Sequence, residues 1–212
     1  MAPDPTQGLQ LRAVRCERGG RVLFADLDCS VGRGQLLRVL GPNGAGKTSL
    51  LRMLCGLLPP AQGDILWQGQ PIRALAEEYG RQLVYIGHAA ALKDDLTALE
   101  NLQTGCQLGG LRVEQDAALA ALRQAGLASR EFAAARLLSQ GQRRRVALAR
   151  LVLTGATPLW ILDEPFNALD SAATDWLTHL IHGHLAQGGV VALTSHQAVA
   201  LDNTADQVRL EL

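Results

Sequence analysis

Aromatic side chains are scarce in this chain, at 4% of its 212 residues, and cysteines number only four. A surplus of either charge is missing: 20 lysines and arginines offset 20 aspartates and glutamates. That balance speaks against bulk nucleic-acid binding, which needs a basic excess to displace counterions from phosphates. No apolar run reaches the roughly 18 residues of a membrane-crossing helix. The best stretch, Val146 to Leu162, is interrupted by Arg150, Thr154, Gly155 and Pro158. The start of the chain lacks the basic segment and apolar core of a secretory signal, so a cytoplasmic location is expected. Cys16, Cys29, Cys55 and Cys106 are scattered without C-x-x-C spacing and are read as small apolar residues in a reducing compartment.

What is present is enough apolar material, 48% of residues, for one sizeable core. Short apolar runs alternate with longer helical patterns, the signature of an α/β fold. Leu36 to Leu40 predicts a buried strand, and a Gly-rich turn then leads into a helix over Ser49 to Leu58, stopped by Pro59 and Pro60. Gly63 to Ile72 predicts a hairpin turning at Gln68-Gly69, and Leu83 to Gly87 a short strand. From Thr97 to Ala135 the chain is rich in Ala, Leu and Gln and opens on a Thr97-x-x-Glu100 capping box, which predicts an inserted helical subdomain. Leu159 to Leu162 and Val190 to Thr194 predict buried parallel strands on either side of a helix over Ser171 to Gln187.

Gly41-Pro42-Asn43-Gly44-Ala45-Gly46-Lys47-Thr48, followed by Ser49, fits the phosphate-loop pattern G-x-x-x-x-G-K-[ST] between a predicted strand and a predicted helix. Its glycines let backbone N–H groups converge on phosphate oxygens, Lys47 neutralises them, and the Thr48 hydroxyl can ligate Mg²⁺. Asp163 and Glu164 end the strand Leu159 to Leu162, where open α/β sheets bind ligands. Asp163 is the candidate for the Mg²⁺ shell and Glu164 for polarising an attacking water. Taken alone, an acidic pair there also fits an edge feature or a surface turn.

Leu138-Ser139-Gln140-Gly141-Gln142, followed by Arg143 to Arg150, is similar to the signature motif and helix of ATP-binding cassette (ABC) ATPases, with Gln140 in place of the family's usual glycine. Asn167-Ala168-Leu169-Asp170 resembles the family's D-loop, and His196 its switch histidine. The resemblance implies a P-loop NTPase fold of the ABC nucleotide-binding type, with a RecA-like parallel-sheet core, an antiparallel β part and a helical insert. Residues 1–212 would form one such domain, with the ATPase core at about 1–92 and 156–212 and the insert at about 93–155. It further implies ATP and Mg²⁺ as ligands. A second copy of the chain would complete an ATP-sandwich homodimer, in which Ser139, Gln140, Gly141 and Gln142 act across the interface and Asp170 belongs to the D-loop. Glu164 and His196 would be catalytic. His88 stands where the family has a metal-contacting Gln, and Arg18 where it has an adenine-stacking aromatic; each is carried over as a candidate for that role.

Cys16-Glu17-Arg18, Leu66 to Pro71, Ile86-Gly87-His88, Leu96 to Leu102 and Trp160 to Phe166 narrow the resemblance to the ATP-binding subunits of cytochrome c maturation systems. That implies a peripheral protein on the cytoplasmic face of a bacterial inner membrane, bound to the integral membrane subunits of the cytochrome c maturation complex, with contact expected near His88 to Asp95. ATP hydrolysis would be linked to haem export or delivery, or to release of a haem-loaded chaperone. Neither nucleic-acid binding nor direct haem binding is expected. An ABC ATPase serving another transported substrate, or one without a transport role, are the alternatives.

Three further features have plainer readings. His179, His182 and His184 do not converge on a helix and are expected to be solvated or at the helix end. Arg143, Arg144 and Arg145 are read as a helix face near nucleotide phosphates or subunit neighbours. Among Trp67, Trp160 and Trp176, core packing is the default.

Overall fold

Two glycines with positive φ, Gly19 (55°) and Gly20 (75°), turn β1 (Leu9–Arg18) back into β2 (Arg21–Val31). The pairing is antiparallel, but its register shifts between Leu11 and Val14, where Ala13 takes a φ of 46° and its N–H donates to the Asp28 carboxylate at 2.9 Å. On the other edge of β1 lies β4 (Gln62–Trp67), which hairpins into β5 (Gln70–Pro71) through the expected Gln68-Gly69 turn. The sheet order is β2-β1-β4-β5. The sequence pattern did not reveal β1 and β2 because their bulges break the alternation that marks a strand.

This computed structural model describes residues 8–195, 201 and 206–212. A second, five-stranded sheet runs β6 (Leu83–Ile86), β7 (Leu159–Leu162), β8 (Val190–Thr194), β3 (Leu36–Leu40), β9 (Gln207–Glu211), with β7-β8, β8-β3 and β3-β9 parallel. β7 and β8 are buried at every position, as expected for parallel strands covered on both faces. The helix after β3, α1, spans Lys47–Leu54 rather than Ser49 to Leu58. Gly56 (φ 71°) stops it, and the N–H groups of Leu57 and Leu58 both return to the Arg52 carbonyl, leaving Leu57 exposed. A further helix, α2 (Ile72–Arg81), follows β5; its Tyr79 is buried, donates to the Leu54 carbonyl at 2.6 Å and meets Trp67 at a ring-centroid distance of 6.3 Å.

By contact the described chain divides into two units. The first holds both sheets, from residues within 1–85, 157–163 and 182–212; its core includes Leu37, Val39, Leu50, Leu54, Trp67, Leu159 and Ile161. Each such fully buried side chain contributes about 1.5–3 kcal/mol. The second, residues 86–156 and 164–181, packs α3 (Ala98–Leu108), α4 (Gln115–Gln124) and α5 (Gln140–Leu153) around Leu102, Leu122, Leu127 and Val146. The Thr97–Glu100 capping box is formed in full. Residues 86–92 and 164–181 group with the three helices, and Arg144 of α5 bonds to carbonyls of both segments. The last helix is α6 (Ser171–Ala186). Among the described residues no helix is long and apolar enough to cross a membrane.

Candidate active site

The loop between β3 and α1 is shaped by three glycines in backbone conformations that side chains rarely adopt: Gly41 (φ 139°), Gly44 (84°) and Gly46 (109°). A β-carbon at Gly41 would stand 2.8 Å from the Leu212 carbonyl oxygen, and one at Gly46 3.0 Å from the Phe24 ring. Gly46 caps α1 without a side chain, so nothing of its own blocks the helix N-terminus, with its positive dipole end and converging N–H groups. Lys47 is buried, and its ammonium donates to the carbonyls of Gly41 and Pro42 at 2.7 and 3.0 Å, which fixes a positive charge inside the loop.

At the carboxyl end of β7 the Asp163 carboxylate, 2% exposed, accepts two hydroxyls: Thr48 Oγ1 at 2.9 Å and Thr194 Oγ1 at 2.8 Å. β3, β8 and β7 are consecutive neighbours in the sheet, so their ends present the phosphate loop, Thr194 and Asp163 side by side. This donor set is all oxygen, with one carboxylate and hydroxyls beside it. It suits a hard cation such as Mg²⁺, which takes one or two carboxylates together with substrate phosphates.

Glu164 follows with a φ of 48°, unusual for a residue with a side chain. In the helical unit its carbonyl accepts from Arg144 Nη2 at 3.0 Å and from the Asn167 N–H at 3.2 Å, while Asn167 Nδ2 donates to its carboxylate. Ser139 caps α5: its hydroxyl accepts from the Gln142 N–H at 3.2 Å, and the Gln142 side chain accepts from the Ser139 N–H at 2.9 Å. Gly141 lies so close to Ala168 that a β-carbon there would be 2.4 Å from the Ala168 carbonyl oxygen. A cavity of about 500 Å³ in this unit is lined by His88, Gln140, Arg143, Arg144, Asn167 and Ala168, among others.

Residues 24–167 match the ABC transporter family. The chain belongs to this family. It is 51% identical to the cytochrome c biogenesis ATP-binding export protein CcmA of Nitrosomonas europaea, over 94% of this chain and 93% of that one. It is likewise 51% identical to CcmA of Dechloromonas aromatica, over 95% of this chain and 99% of the relative. Among solved structures it resembles an ATP-binding subunit of an ABC transporter (TM-score 0.82, 28% identity, 95% and 85% of the two chains). It also shares the fold of a dimeric ATP-binding cassette in a post-hydrolysis state with ADP and Pi (TM-score 0.79, 23% identity, 96% of each). As an ABC family member the chain is an ATP-binding ATPase.

Against that family pattern, the structure brings together Lys47, Thr48 and Asp163 in the sheet unit, and Ser139 to Gln142, Glu164 and the D-loop in the helical unit. Arg18 is exposed at the end of β1, beside the tight turn to β2, and His88 is exposed after β6. Asp170 is exposed, with its carboxylate accepting from the Ala173 N–H at 2.8 Å at the start of α6. His196 lies outside the described residues.

The structure adds detail to two sequence readings. The three arginines of α5 have internal partners: Arg143 pairs with Asp94 at 2.7 Å, Arg144 reaches four carbonyls, and Arg145 donates to the Gly126 carbonyl at 3.0 Å. His184 lies in the last turn of α6, the helix-end place expected for it, but is buried and not solvated, stacked on Trp160 with centroids 3.8 Å apart and an interplanar angle of 6°. Gly189 makes room for it, since a β-carbon there would stand 2.2 Å from His184 Nε2. Thr194 went unread as a site residue, and the bonds of Arg144 and Asn167 to the Glu164 segment were not foreseen, although both residues were read as part of the signature helix and the D-loop. A threonine ending an apolar strand carries no motif, and the partners of Arg144 are backbone atoms that leave no trace in a sequence.

Proposed function

We propose that this chain is the ATP-hydrolysing subunit of a membrane complex for c-type cytochrome biogenesis, working as a homodimer with Mg²⁺ on the cytoplasmic face of a bacterial inner membrane. The observation that carries the hydrolytic reading is the convergence of Thr48 and Thr194 on Asp163, with Lys47 held in its loop and Glu164 next in the chain. The names of relatives half identical over nearly the whole chain support the cytochrome c role.

In this reading the N–H groups of the phosphate loop and the Lys47 ammonium bind and orient the β- and γ-phosphates. Thr48 and Asp163 would hold Mg²⁺, which when bound neutralises charge on the phosphate oxygens. Glu164 accepts a proton from a water molecule whose oxygen bonds to the γ-phosphorus. The bond from that phosphorus to the β–γ bridging oxygen breaks, and ADP and inorganic phosphate leave. Ser139 to Gln142 of a second copy cover the γ-phosphate, Arg18 stacks on adenine, His88 would contact the metal, and His196 contacts the γ-phosphate. Haem itself stays with the membrane subunits.

The test compares steady-state turnover, ATP binding and haem attachment to c-type cytochromes in the host. Glu164→Gln is expected to keep ATP binding and lose turnover by about 10² to 10⁴-fold, the usual worth of a general base. Lys47→Ala should weaken ATP binding itself and abolish haem attachment. Parent-like turnover in Glu164→Gln would remove the general base. Normal c-type cytochromes in the Lys47→Ala host would leave an ABC ATPase for another substrate.

A further inference from the structure

Arg144 is a charged side chain, only 5% exposed, in the middle of the helical unit. Its guanidinium donates to four backbone carbonyls in two separate segments. Nη1 reaches Gly87 at 2.6 Å and His88 at 3.4 Å; Nη2 reaches Glu164 at 3.0 Å and Nε reaches Pro165 at 3.3 Å. A planar fork with five fixed N–H donors can hold two strands of chain at once, which a lysine ammonium on a single point cannot. The segment it holds at one end carries Glu164, whose backbone sits at a φ of 48° and whose carboxylate is held by Asn167.

We propose that Arg144 is the positioning residue of the hydrolytic carboxylate, locking the Gly87-His88 segment and the Glu164-Pro165 segment to one rigid group on the signature helix. The inference rests on the reading of Glu164 as the base. Through these carbonyls Arg144 acts by fixing the backbone from which Glu164 projects. Because the same guanidinium holds the carbonyl of His88, a displacement of that segment changes the seat of Glu164. The signature helix, through Arg144, feels both.

The test uses the full chain in five forms: parent, Glu164→Gln, Arg144→Met, Arg144→Lys, and the double variant Glu164→Gln/Arg144→Met. Arg144→Met is expected to lower kcat by about tenfold or more while KM for ATP and binding of a fluorescent ATP analogue stay within about twofold. Arg144→Lys should recover little, since charge without the fork does not bridge the segments. Adding Arg144→Met to Glu164→Gln should cost no further turnover, because the group it positions is already disabled. Hydrogen exchange should rise together in residues 86–90 and 164–168 of either Arg144 variant, with the phosphate loop unchanged. A merely structural role predicts the opposite pattern: a further multiplicative loss in the double variant and exchange spread over all of α5. Should Arg144→Met fail to fold, Arg144→Lys, alone and combined with Glu164→Gln, carries both readouts. Parent-like kcat in the folded Arg144 variants, with Glu164→Gln inactive, overturns this inference alone. Glu164→Gln as active as the parent, or a parent without turnover, overturns the base assignment and this inference with it.

Discussion

A single hydrogen atom in place of a methyl group decides how Gly141 meets the D-loop. A β-carbon at this position would stand only 2.4 Å from the Ala168 carbonyl oxygen, so Gly141→Ala forces the two segments apart. Ala168, at a φ of 61°, has little freedom to give way. Displacements near 1 Å in a catalytic arrangement cost about 10²-fold, so Gly141→Ala should lose turnover on that order. Its phosphate loop is untouched and should still bind ATP; weakened ATP binding in equilibrium titration would contradict this account. Gln140, by contrast, is exposed, and nothing in its surroundings explains why it replaces the family's glycine. The cysteines bear out their reading as small apolar residues: all four are free, and burial raises each thiol, pushing Cys29 up to about 11.

At the scale of elements, α3 shows how much a local signal can hold. The Thr97 hydroxyl accepts from the Glu100 N–H at 3.1 Å, and the Glu100 carboxylate accepts from the Thr97 N–H and hydroxyl, each at 2.8 Å. Those bonds hold the Glu100 carboxyl below the ordinary glutamate range. A depressed carboxylate lends stability above its unfolded pKa, about 4.3, and loses it as pH falls through the folded value. Thr97→Ala should therefore lower stability at neutral pH, and the deficit should narrow as the pH falls below about 4; denaturant unfolding at neutral pH and again at about pH 3.5 measures it. A deficit that stays constant would detach it from Glu100. Such caps were legible because they are spelled in four consecutive residues, as were the phosphate loop and the acidic end of β7. The long hairpin of β1 and β2 was not, since its pairing depends on bulges at Ala13 and on partners some 15 residues away, such as Asp28. α2 escaped because its first inner-face residue, Ile72, was read into the preceding hairpin, although Ile72, Leu75 and Tyr79 recur at helical spacing. The burial of His184, though not its place at the helix end, was hidden because what buries it is Trp160 and the absent side chain of Gly189, neither adjacent to it in sequence.

At the scale of the whole molecule, the proposed homodimer makes a statement that no single chain can test. If each site joins the phosphate loop of one copy to the signature motif of the other, Lys47→Ala and Ser139→Arg disable opposite halves of every site. Each homodimer of a variant then has two defective sites. A mixed dimer has one site carrying both defects and one carrying neither. Random pairing of equal amounts makes half of the dimers mixed, so two inactive preparations combined should regain about a quarter of the parent turnover, as the two-fold symmetry of a closed homodimer requires. Ser139 is exposed at the start of α5 and serves as that helix's cap, so a single-variant control of folding by thermal melt is needed alongside. Regained turnover fixes the signature of one copy on the nucleotide of the other. No recovery from two folded, individually inactive variants would sink the picture of independent composite sites and require both sites of a dimer to be intact before either turns over.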